Sequence, residues 1–190
     1  MTHALIIIDM QQGSFVDAPP KHDAAALLAR LNKLAAAVRA VGGAVVYIQH
    51  DGPPGDPHHP DRPGWRLLEE LDVQPDDTIV RKKSCDAFLD TPLEAFLRAR
   101  SIERLIVTGC ATDYCVDTTV RSALARGWPT TVPSDGHTTS NRPHLAADKI
   151  IEHHNAIWSD FIAPNGPALV SPCAAVIHQI AALRAPHEHA

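Results

Sequence analysis

The run Ala4-Leu-Ile-Ile-Ile-Asp9 constrains this chain more than any other stretch. It is apolar on both faces of an extended backbone. Such a run needs cover on both sides, which is how the central strand of a parallel sheet reads. A helical stripe follows in residues 23–41, with Leu27, Leu31, Leu34, Val38 and Val41 on one face and Gly42-Gly43 as its stop. Ala44 to His50 is then a second apolar run. A strand, helix and strand in that order make a right-handed parallel unit.

The alternation continues. Strands are expected at 78–82, 104–109 and 129–132. Helices are expected at 91–100, from Asp113 to Gly127 and at 144–155. Ile157-Trp-Ser-Asp-Phe-Ile162 reads as a last strand, and Ser171-Pro172 as the start of a final helix. Thr91-Pro-Leu-Glu94 has the form of a capping box with proline at the first helical position. Arg66 to Leu71 is expected to form a short helical turn, and the tail Ala185 to Ala190 to fray. The fold class is α/β: a three-layer α/β/α sandwich around a mostly parallel six-stranded sheet. No repeat or domain boundary interrupts it, so residues 1–190 read as one domain.

In such sheets ligands bind outside the carboxyl ends of the strands. Three chemically able side chains fall there, on three strands: Asp9, Lys82 and Cys115. Cys115 lies where an apolar strand ending at Gly109 hands over to a helix, with Thr112 as the expected N-cap. The free N–H groups and partial positive charge of a helix start favour a thiolate. The thiol is therefore expected to ionise below its ordinary value of about 8.5. A carboxylate that takes the thiol proton, an ammonium that steadies both anions and a thiolate that attacks a carbonyl together hydrolyse amides. Each residue has a plainer reading: Asp9 as a turn cap, Lys82 as a solvated strand end, Cys115 as a small core residue. Cys85, Cys110 and Cys173 carry only the structural reading.

Net charge is −5, which argues against nucleic acid or an anionic membrane as partner. No apolar segment is long enough to span a bilayer. The N-terminus lacks the form of a signal peptide, and the four cysteines have no paired spacing; a cytoplasmic location with reduced thiols is expected.

Three stretches together resemble the isochorismatase-like superfamily of cysteine hydrolases: Leu5-Ile-Ile-Ile-Asp-Met-Gln11, Lys82-Lys-Ser-Cys-Asp-Ala-Phe88 with Thr91, and Gly109-Cys-Ala-Thr-Asp-Tyr-Cys-Val-Asp-Thr-Thr119 with the later Ser134-Asp-Gly-His-Thr-Thr139. The resemblance implies a triad of Asp9, Lys82 and Cys115, with Lys82 preferred over Lys83 by its spacing to Phe88. It also implies a cis Cys110–Ala111 peptide and an oxyanion hole formed by the N–H groups of Ala111 and Cys115. Asp56-Pro-His58 imitates half of the zinc motif of the nicotinamidases, but no histidine occurs between 60 and 136 to complete it, so no metal and no cofactor are expected. Tyr114-Cys-Val-Asp-Thr-Thr119 and His153-His-Asn155 resemble the metal-free branch that includes lactam-opening enzymes.

The expected function is thus cysteine-dependent hydrolysis of a small-molecule amide or lactam. The alternatives are a zinc nicotinamidase, a vinyl ether hydrolase of isochorismatase type and a non-catalytic binding protein. Phe15, Trp65 and Trp158 are candidates to line the substrate pocket, with core packing as the competing reading. A homo-oligomer, dimer or tetramer, is what the resemblance implies.

Overall fold

The computed structural model describes residues 2–16 and 18–183. Among these residues seven strands form one sheet, one more than expected: β1 (His3–Ile8), β2 (Ala44–His50), β3 (Thr78–Lys82), β4 (Arg104–Cys110), β5 (Thr130–Pro133), β6 (His137–Thr138) and β7 (Leu169–Ser171). The order is β3-β2-β1-β4-β5-β7, with the short β6 added beyond β5 on β4, and every ladder is parallel.

Alternation along β1 divides the core. Ala4, Ile6 and Ile8 face one side, with Val46 and Ile48 of β2 and Val80 of β3. That side is covered by α3 (Leu93–Ala99), α4 (Asp117–Ala125) and α5 (Ala147–Ser159), which supply Leu97, Val120 and Trp158. Leu5 and Ile7 face the other side, against α2 (Ala24–Ala40) and α6 (Cys173–Ala182), where Leu31, Leu34, Val176 and Ile180 pack. A four-residue helix, α1 (Gln12–Phe15), follows Asp9.

Three local expectations need correction. Residues 157–162 are not the last strand. Ile157 to Ser159 complete α5, because Ala147, Ile150 and Trp158 recur at helical spacing and are buried. The last strand is β7, beside β5. Arg66 to Leu71 is not helical. The 3₁₀ turn is Pro63–Trp65, and the chain after it pairs with residues 10–12 through Gln12 N–H to Arg66 O and Leu68 N–H to Met10 O. The capping box at Thr91 is half formed: Thr91 Oγ accepts from Leu93 N–H, while Glu94 pairs with Arg98 and Arg126 instead of returning to the cap. The expected tail at Ala185 to Ala190 lies outside the described residues.

Candidate active site

β1 delivers Asp9. Its N–H still bonds Ile48 O (2.9 Å), but its φ of 48° turns the backbone out of the strand at that residue. Asp9 is buried, and Oδ2 receives Lys82 Nζ at 2.7 Å. Two residues on, the wholly buried Gln11 clamps β2. Its Oε1 accepts from His50 N–H (2.8 Å), and its Nε2 donates to His50 O (3.0 Å) and Trp65 O (2.8 Å).

β3 delivers Lys82. Its ammonium has three N–H groups and three acceptors: Asp9 Oδ2, Ser84 O (2.8 Å) and Cys115 Sγ (3.2 Å). That satisfaction allows a lysine side chain to be wholly buried. Burial works against the charge, but Asp9 and Cys115 outweigh it and hold the ammonium above its ordinary range. Lys83, one residue on, is exposed. The Ser84 segment is held in turn by Thr119 of α4, whose Oγ accepts from Ala87 N–H (3.1 Å) and donates to Cys85 O (3.3 Å).

β4 delivers Cys115, through a wide turn. Thr112–Val116 form one turn of π-helix before α4 begins at Asp117. The Cys110–Ala111 peptide is cis, and Ala111 O accepts from both Tyr114 N–H (3.0 Å) and Val116 N–H (3.2 Å). Cys115 is half-buried against the α3–α4–α5 face of the core. The structure overturns the expectation of a lowered thiol. Burial pushes Cys115 above its ordinary value, the Asp9 charge adds to that, and Lys82 opposes it. The resting pair is therefore a thiol beside a carboxylate, bridged by an ammonium.

Sequence reasoning missed the group that holds the turn. Thr112 Oγ lies 2.9 Å from His137 Nδ1, and His137 Nε2 lies 3.0 Å from Asn155 Oδ1, while Asn155 Nδ2 donates to Ser134 O (2.9 Å). Asn155 offers an acceptor, so Nε2 carries the hydrogen. Burial lowers His137 to about 4, which keeps it neutral. Nδ1 must then accept, and Thr112 donates. The signal was present as Ser134-Asp-Gly-His137 and His153-His-Asn155, two motifs whose meeting depends on the fold.

The aromatic candidates separate. Trp158 takes the core-packing reading: it is wholly buried, stacks edge-on against His137 at 5.0 Å and donates Nε1–H to Asp117 (2.8 Å), so it backs the turn. Phe15, the last residue of α1, and Trp65, in the 3₁₀ turn after β2, are half-buried. Arg81 lies over the Trp65 ring, whose Nε1–H is donated to Asp51 (2.8 Å). The half zinc motif is self-contained: His58 Nδ1 meets Asp56 (3.0 Å) and its Nε2 meets Ser14 Oγ (2.9 Å). Among the described residues, no three His, Cys, Asp or Glu side chains gather as a metal-ligand group.

The sequence model of the isochorismatase domain matches residues 3–160. The chain belongs to the isochorismatase family. This isochorismatase-family chain is 37% identical over 140 residues to a streptothricin hydrolase of Streptomyces noursei, an alignment that covers 74% of the chain and 51% of that relative. It is 31% identical over 157 residues to the ureidoacrylate amidohydrolase RutB of Klebsiella pneumoniae, covering 64% of the chain and 66% of that relative. The chain thus spans about half the length of the streptothricin hydrolase it matches. Among solved structures it is similar to a cysteine hydrolase from Pseudomonas syringae pv. phaseolicola, with TM-score 0.84 and 25% identity over 95% of this chain and 93% of that one.

Proposed function

We propose that this isochorismatase-family chain hydrolyses the carbon–nitrogen bond of a small-molecule amide or lactam through a thioester on Cys115. The observation that carries the reading is Lys82 Nζ, which touches both Asp9 Oδ2 and Cys115 Sγ from a wholly buried position. An ammonium placed between an acid and a thiol holds two groups that exchange a proton, and steadies whichever is the anion.

In this reading Asp9 accepts the Cys115 proton as sulfur adds to the carbonyl carbon. The N–H groups of Ala111 and Cys115 receive the developing oxyanion. As the carbon–nitrogen bond breaks, its electron pair stays on nitrogen, which takes the proton from Asp9. A water molecule, deprotonated by Asp9, then clears the thioester and restores the thiol. The raised thiol fits this sequence, because the nucleophile is made by transfer to Asp9 at the moment of attack. The amidohydrolase relatives support an amide substrate.

The test is turnover across primary amides, lactams and nicotinamide, with intact-mass detection of an acyl adduct. The wild type is expected to carry one acyl group on Cys115 with its best substrate, and Cys115→Ala none. Turnover retained by Cys115→Ala would remove the reading.

A further inference from the structure

Among the described residues, three buried side-chain atoms at the carboxyl end of the sheet have no hydrogen-bond partner, Asp9 Oδ1, His50 Nδ1 and Ser171 Oγ, and the first two belong to residues that flank Lys82. Buried polar atoms are nearly always paired, so two orphans beside a reactive centre point to a group that arrives with the ligand. His50 ends β2 and pairs in register with Lys82. It follows Ile48 by two residues, so it shares the face on which Ile48, Val80 and Cys115 pack. Its backbone is fixed on both sides by Gln11. Lys82 and Asp9 both act on it electrostatically, while burial, the largest influence, lowers its pKa and keeps the ring neutral. A neutral ring with hydrogen on Nε2 presents Nδ1 as an acceptor.

We propose that His50 is a leaving-group contact: its Nδ1 accepts an N–H of the scissile amide nitrogen and so turns the nitrogen lone pair toward the proton on Asp9. The inference rests on the acyl-enzyme reading above. In the step concerned the carbon–nitrogen bond breaks, its electron pair remains on nitrogen, and nitrogen gains the proton that Asp9 took from Cys115. His50 neither gains nor loses a proton. An ester leaving group has no N–H, so its departure gains nothing from His50.

The experiment compares single-turnover acylation of Cys115 by the best carboxamide of the substrate panel and by the methyl ester of the same acid. Three variants are used: His50→Ala, His50→Asn and His50→Gln. Asparagine can place an acceptor oxygen near the position of Nδ1, whereas glutamine puts its amide near Nε2. Loss of one hydrogen bond in a buried site is expected to slow amide acylation by about tenfold or more in His50→Ala and His50→Gln. His50→Asn should recover most of that rate, and ester acylation should stay within about twofold throughout. Equal slowing of amide and ester, an unchanged amide rate in His50→Ala, or no advantage of asparagine over glutamine would each overturn the inference. A wild type that acylates with no member of the panel removes the acyl-enzyme reading, and this inference falls with it.

Discussion

Lys82 and Asp9 form an ion pair of 2.7 Å in which neither side chain is more than 9% exposed. At that burial the two charges depend on each other. Removing one partner of such a pair leaves the other desolvated and uncompensated, at a cost of about 3–5 kcal/mol. Lys82→Met is therefore expected to lower the urea-unfolding free energy by that order. The double variant Asp9→Asn with Lys82→Met should regain most of the loss while remaining inactive. Additive losses in that cycle would show that the pair is not coupled in the folded chain.

The charge of Asp9 on Cys115 should be visible without any substrate. Burial and that charge hold Cys115 as a thiol, while Lys82 opposes them. Asp9→Asn removes the charge and leaves Lys82 in place, so the thiol should ionise at a lower pH and its iodoacetamide labelling near neutral pH should quicken. Exposed Cys85 supplies an internal reference and should label at an unchanged rate. Peptide mapping of the labelled protein reads both sites at once.

The Thr112–His137 bond makes a stability prediction with a definite pH window. His137 is lowered from 6.5 unfolded to about 4 folded, so between those values the unfolded chain binds more protons. Stability attributable to His137 is complete above pH 6.5 and is lost as pH falls toward 4, by about 3 kcal/mol in total. Urea midpoints measured across that range should fall with pH. His137→Asn should flatten the slope. An NMR titration placing His137 near 6.5 in the folded protein would contradict the assignment.

Thr112 tests the same contact from its other end. Thr112→Val keeps the shape of the side chain and leaves Nδ1 without a donor, which costs about 1–3 kcal/mol. Thr112→Ser keeps the donor and should stay near wild type. Thermal denaturation of the two variants separates loss of the hydroxyl from loss of the methyl group.

Gly109 sits where β4 passes β1, with a φ of 114°. A Cβ there would strike the Ile8 carbonyl oxygen and amide nitrogen, both backbone atoms that cannot swing away. Gly109→Ala is expected to cost more than about 3 kcal/mol or to prevent folding. Gly166→Ala has a comparable φ of 84° with nothing within 4 Å, and should cost only about 1–2 kcal/mol. Soluble yield and melting temperature of the pair measure the difference.

The sequence by itself determined the order of the main strands and helices as far as β5 and placed Asp9, Lys82 and Cys115 at strand ends. Those are local facts: an apolar run such as Ala4 to Ile8 forces burial on both sides, and the residue after it must stand at the rim. The preference for Lys82 over Lys83 came from the family resemblance, through its spacing to Phe88, and the fold buries the first and exposes the second. Tertiary structure decided the rest. Trp158 became a buried brace because α5 continues past Asn155, a choice made by helical packing against β6, β7 and the turn that carries Cys115, and not by the β-branched look of residues 157–162. The thiol rose where a helix start alone argued for a fall, because desolvation and the Asp9 carboxylate act through space from another strand. His137, Asn155 and His50 gained their positions only when distant segments met, since hydrogen bonding and burial depend on distance in space and leave no periodic trace along the chain.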